Sequence, residues 1–140
     1  MRHRILAAPL LFLAAACQGQ APATAPPAPS PAPVAPDLAG DFDARGTEPF
    51  WSLQVRPTQI TLQRLDRSNL VVGNPGVVAG PDRVSWTSPN GPALSIVIVR
   101  GDCSDGMSDL TYRYRAEIRI DGDRLKGCAF RTAEPPEPPA

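Results

Sequence analysis

The chain has 140 residues, 14 lysines and arginines against 14 aspartates and glutamates, and a single histidine, His3. A neutral balance with no basic cluster leaves no electrostatic footprint for nucleic acid. Because His3 lies in a segment expected to be removed, the mature protein has no imidazole, which excludes Ser-His-Asp and Cys-His triads and His-based zinc or copper sites.

Arg2 and Arg4 precede the apolar run Ile5–Ala16, which has the length of a signal-peptide core and is too short to span a bilayer. The run stops at Cys17, and Leu13-Ala14-Ala15-Ala16-Cys17 resembles the lipobox of bacterial lipoproteins. In that class the cysteine is acylated and becomes the new N-terminus, so residues 1–16 are expected to be a signal peptide and Cys17 a lipid anchor. Ala14 stands where the lipobox usually has leucine, and ordinary signal-peptidase cleavage after Ala16 is the alternative. Each buried CH₂ of an acyl chain contributes about 0.8 kcal/mol, so two or three chains would hold the protein permanently. Gln18 after the cysteine implies, by the sorting rule of enteric lipoproteins, transfer to the outer membrane. The expected address is therefore the periplasmic face of the cell envelope.

From Gln18 to Pro36 the composition is almost wholly Ala, Pro, Gln, Ser and Thr. Such a segment cannot build a core and favours extended polyproline II, so residues 17–36 read as a disordered tether reaching roughly 60 Å. A Pro-rich recognition ligand is the functional alternative. Residues 132–140, rich in Pro and Glu, read as a disordered tail.

Residues 37–131 read as one β-domain, since short β-branched and aromatic runs alternate with Gly, Pro, Asn and Asp clusters and no 3.6-residue apolar period is sustained. Strands are expected at Phe50–Arg56, Gln59–Leu65, Leu70–Val72, Arg83–Thr87 and Ala93–Arg100. In the last long segment Tyr112, Tyr114, Ala116, Ile118 and Ile120 fall on one face, and Arg113, Arg115, Glu117 and Arg119 on the other. A type I′ turn at Asp121-Gly122 would set Ile118 opposite Leu125 and Glu117 opposite Lys126, but also Arg119 opposite Arg124. A longer Asp-Gly-Asp-Arg loop is the other possibility. Six to eight short antiparallel strands with little helix point to an all-β fold, a small antiparallel β-barrel with a β-sandwich as the alternative.

With Cys17 committed to lipid, Cys103 and Cys128 remain as a pair, and a disulfide is expected. A two-thiolate metal site or a redox pair is the alternative, but the spacing lacks CxxC and there is no partner histidine after His3.

Gly46-Thr-Glu-Pro-Phe-Trp51, Cys103-Ser-Asp-Gly-Met-Ser-Asp109 and Gly127-Cys128-Ala129 carry more unusual residues than a plain scaffold needs. Together they resemble an uncharacterised family of bacterial envelope proteins and lipoproteins, some relatives of which look joined to META/HslJ-type domains or are discussed beside periplasmic inhibitors of c-type lysozyme. The Ser-Gly-x-x-Tyr loop of those inhibitors is not reproduced by Ser108-Asp-Leu-Thr-Tyr112.

The residues themselves mark a candidate binding surface at Glu48, Phe50, Trp51, Asp105 and Asp109. Phe50 and Trp51 must point to opposite faces, Trp51 into the core and Phe50 to a rim where it could serve as a ligand platform. Asp102, Asp105 and Asp109 could offer oxygen ligands to calcium, yet Asp105-Gly106 is more simply a turn. Glu48 with Asp105 or Asp109 could form a hydrolytic carboxylate pair. The Arg113/Arg115/Arg119 stripe reads as the solvated face of a strand, with polyanion binding as its functional counterpart. No cofactor or metal is called for. The expected role is a non-enzymatic binding or accessory module that contacts an envelope protein or cell-wall material; a lysozyme-inhibitor-like protein and a carboxylate-based cell-wall hydrolase are the alternatives.

Overall fold

A computed structural model describes residues 33–138. The signal segment, Cys17 and most of the tether lie outside the described residues.

Nine strands form one antiparallel sheet: β1 Phe42–Thr47, β2 Phe50–Val55, β3 Gln59–Arg64, β4 Arg67–Gly73, β5 Val78–Ala79, β6 Arg83–Thr87, β7 Leu94–Ser104, β8 Thr111–Ile120 and β9 Asp123–Arg131. The sheet order is β4-β3-β2-β1-β9-β8-β7-β6-β5, curled into a half-barrel. The all-β, barrel-like expectation therefore holds, with more strands than the turn signals suggested. β1 and the two-residue β5 were not anticipated from the sequence.

The seam of this half-barrel follows from strand parity. In a closed meander of nine alternating strands the first and last would run parallel, yet β1 and β9 pair antiparallel. Taken back through the pairings, β4 and β5 must run in the same sense, so they cannot form a hairpin across Asn74–Val77. The chain instead crosses the gap as a corner, which Asn74 pins: its Nδ2 donates to the Arg56 carbonyl at 2.7 Å and its Oδ1 accepts from the Gly76 N–H at 2.8 Å.

Alternation decides which residues enter the concave face. Phe42, Ala44, Trp51, Leu53, Val55, Ile60, Leu62, Val84, Trp86, Leu94, Ile96, Ile98, Tyr114, Ala116, Ile118, Ile120, Leu125 and Ala129 are buried there as one core. Phe42 sits edge-on to Tyr114 at 5.4 Å and to Trp86 at 6.2 Å, joining the two wings.

One mouth is closed by the segment entering β1. A 3-10 turn at Pro36–Leu38 drives Leu38 into the core, with Val34 and Ala35 packed behind it. Asp37 takes a two-pronged ion pair from Arg100, and its carbonyl accepts from the Tyr114 hydroxyl at 2.6 Å. Beside it, after β9, Thr132 N–H donates to the Asp41 carbonyl at 3.0 Å and Glu134 bridges back to Arg131.

The β8–β9 hairpin takes the Asp121-Gly122 register: Ile118 faces Leu125 and Glu117 faces Lys126. Both turn residues have the positive φ that a type I′ turn needs, 49° and 88°. Glu117, however, pairs with Arg119 at 3.0 Å and with Arg124, not with Lys126. The facing arginines that looked like a flaw in the register are thus bridged by one carboxylate.

Tyr112 departs from the expected face. It is fully buried but outside the main core, its ring 6.2 Å from that of Phe130. The departure coincides with a register break in β7 between Arg100 and Cys103, where Gly101 takes φ +145°. Beyond this bulge β7 brings Cys103 opposite Tyr112, making a second small cluster away from the concave core.

Candidate functional site

Cys103 and Cys128 form the disulfide, with Cα atoms 5.5 Å apart. Cys128 lies on the face opposite the main core, beside Arg115 of β8 and Arg45 of β1. The bond holds the end of β7 and the loop after it across that face.

Asp105 organises this loop. Its carboxylate accepts from the Met107 N–H at 3.0 Å, the Ser108 N–H at 2.8 Å, the Ser108 hydroxyl and the Tyr112 hydroxyl at 2.9 Å. Main-chain donors from Ser108 and Met107, followed by the Ser108 hydroxyl, hold its pKa far below the usual carboxylate range. Tyr112 is pushed above its ordinary value by burial first and by its bond to Asp105 second. The Asp105-Gly106 turn is therefore a loop staple whose acceptors are already taken by protein donors. Asp109 is exposed, and among the described residues no three His, Cys, Asp or Glu side chains converge on a point where a metal ion could sit.

The Gly46–Trp51 segment is the tip of the β1–β2 hairpin. Gly46 and Thr47 still belong to β1, and the turn is Glu48-Pro49 alone, joined by a cis peptide bond. Trp51 is only 4% exposed and lies flat over Gly46 and Gly127. A Cβ on Gly46 would run into the indole nitrogen and the Lys126 carbonyl, and one on Gly127 into the Arg45 carbonyl and the indole ring. The glycines of two motifs are thus explained by one tryptophan, whose Nε1–H has no acceptor among the described residues. Phe50 points the other way and is 49% exposed, lining a hollow with Ser52, Gln63 and Leu65.

All three motif segments meet. Thr47 Oγ1 donates to the Asp105 carbonyl at 3.3 Å, Cys103 is bonded to Cys128, and Gly127 carries the Trp51 indole. Between the hairpin tip and the Cys103–Asp105 wall lies an open recess of about 860 Å³. Its floor is the outer face of β7, β8, β9 and β1, and six cations line it: Arg45, Arg83, Arg115, Arg119, Arg124 and Lys126. Only three carboxylates oppose them, Glu48, Asp105 and Glu117. Glu117 is held below its ordinary pKa by Arg124 and then Arg119, and Arg124 is raised in return.

Of the five surface candidates, then, Glu48 and Asp105 line the recess, Phe50 borders the adjoining hollow, Trp51 lies in the core, and Asp109 is outside the recess lining. Sequence reasoning missed Arg45, Arg83, Arg124 and Lys126 as site residues, which come together only through strand pairing. Arg115 and Arg119 were visible in a stripe, whereas Arg113 of that stripe does not line the recess. No protein-family model, curated protein or solved structure matches the chain.

Proposed function

We propose that this protein is a lipid-anchored component of the bacterial envelope, held through Cys17 at the periplasmic face of the outer membrane, and that its β-domain is a non-enzymatic binding module. The observation that carries the reading is the convergence of the three distinctive segments on one open recess with twice as many cations as carboxylates. Hydrolytic use of the carboxylates has less support, because Asp105 is committed to its own loop and Asp109 does not join Glu48 in the recess lining. A stretch of extended tether after Cys17 would lift the recess well clear of the lipid surface toward the cell wall.

Crosslinking in intact cells, followed by purification of the Cys17-anchored protein, tests this. A reproducible envelope protein or glycan should be recovered, and consistent recovery of the protein alone would overturn the proposal.

A further inference from the structure

Strand register places three of the recess arginines in one line. Arg83 of β6 faces Val99 of β7, Val99 faces Arg115 of β8, Arg115 faces Cys128 of β9, and Cys128 faces Arg45 of β1. Neighbouring strands lie about 4.8 Å apart, so these guanidinium-bearing positions recur about every 10 Å across five strands. Val99 is a partly exposed apolar step between the first two, and the buried Cys128 lies between the second and third.

Two of the three are held in place by neutral groups. Arg115 packs against Gly101 at the β7 bulge and donates from Nε to the Asp102 carbonyl at 3.1 Å. Arg45 lies over the rings of Phe130 and Tyr112, 5.4 and 5.9 Å from their centroids. Among the described residues neither has a carboxylate partner, nor has Lys126, whereas Arg83 pairs with Asp82 and Arg119 and Arg124 share Glu117. Positive charge is therefore left uncompensated at Arg115, Arg45 and Lys126, and is balanced locally at Arg83, Arg119 and Arg124.

We propose that this row binds a linear acidic glycan, one acidic group to each arginine and a sugar face resting on Val99. The proposal rests on the binding-module reading and names its ligand. Guanidinium forks suit carboxylate or phosphate oxygens, and an extended glycan with one acid per disaccharide repeats at about the spacing of alternate strands. A peptide adding as a strand would need a free sheet edge, but all five strands of the row are paired on both sides. A flat lipid surface would need cations standing clear of their surroundings, and these lie between the Cys103–Asp105 wall and the Thr47-Glu48 tip.

The test uses the full chain in neutral detergent, with hyaluronate oligosaccharides as the probe because they carry one carboxylate per disaccharide. Dextran of matched length, polyphosphate and vesicles containing phosphatidylglycerol are the comparisons. Saturable binding to hyaluronate, weakened by salt and absent for dextran, is expected. Arg45→Gln and Arg115→Gln should each weaken it roughly tenfold, the weight of one charge-assisted contact, with unchanged circular dichroism. Lys126→Gln provides an independent variant at an exposed position, expected to weaken binding in the same direction, and Arg113→Gln, outside the recess, should leave it unchanged. Absence of hyaluronate binding, equal loss in Arg113→Gln, or preference for polyphosphate or vesicles would overturn the proposal. Were that to happen while crosslinking still recovered an envelope partner, the glycan would fall and the binding module would stand.

Discussion

Gly46, Trp51 and Gly127 show how a motif that stands out in a sequence can have a packing cause. The indole needs two positions without side chains, one on the adjacent β1 and one on β9 beyond it, and both are glycine. Gly127→Ala forces a Cβ against the Arg45 carbonyl and the indole, and should lower stability by about 1–3 kcal/mol or more. Gly73→Ala, with nothing near its added carbon, should be close to neutral; urea midpoints of the two variants check the contrast. Asp105 is the residue where acid sensitivity concentrates. Its folded pKa is depressed, as are those of Asp37 through Arg100 and Glu117 through Arg124 and Arg119. Such groups contribute their full stability above their ordinary values, 3.8 for aspartate and 4.5 for glutamate, and lose it as pH falls toward the folded values. The urea midpoint should therefore drop between pH 6 and pH 3, and Asp105→Asn should reduce that drop. Asp105 was legible as a turn former from Asp-Gly alone, but its bond from Tyr112 was not, since alternation assigned that side chain to the concave face.

At the scale of elements, the sequence offered two registers for the hairpin of β8 and β9, and the type I′ one is formed. A two-residue Asp-Gly turn fixes the register locally, and alternation then assigns every side chain to a face. The same logic failed at Tyr112, where the pairing with β7 breaks register and Gly101 is the local trace in the sequence. The disulfide acts between these elements. Closing a loop with 25-residue separation, it should stabilise by about 3 kcal/mol through restriction of the unfolded chain. Reduction, or a Cys103→Ala/Cys128→Ala variant, should lower the urea midpoint accordingly while the concave core, which does not include the bond, keeps its near-ultraviolet tryptophan signal.

For the whole molecule, the half-barrel is completed by residues that come before its first strand. Leu38 is 1% exposed and seals one mouth beneath Asp37, Arg100 and the Tyr114 hydroxyl. Leu38→Ala should cost about 2–5 kcal/mol, as for a core leucine, and a chain trimmed to begin at Phe42 should be less stable still; thermal melts of both check this. Composition placed a tether up to Pro36, and proline content alone gives no sign that Val34 and Ala35 pack against the core.

What the sequence determined by itself was local: the strand alternation, the Asp-Gly turn, the pairing left to Cys103 and Cys128, and the expectation of a lipid anchor at Cys17. Each rests on residues close together in the chain or on counting residue types. Tertiary structure alone decided the open seam between β4 and β5, the flipped cluster around Tyr112, and the row of Arg83, Arg115 and Arg45. These depend on the register between strands far apart in the chain, and register is settled by which faces can be buried together, a property of the curled sheet and of no single segment.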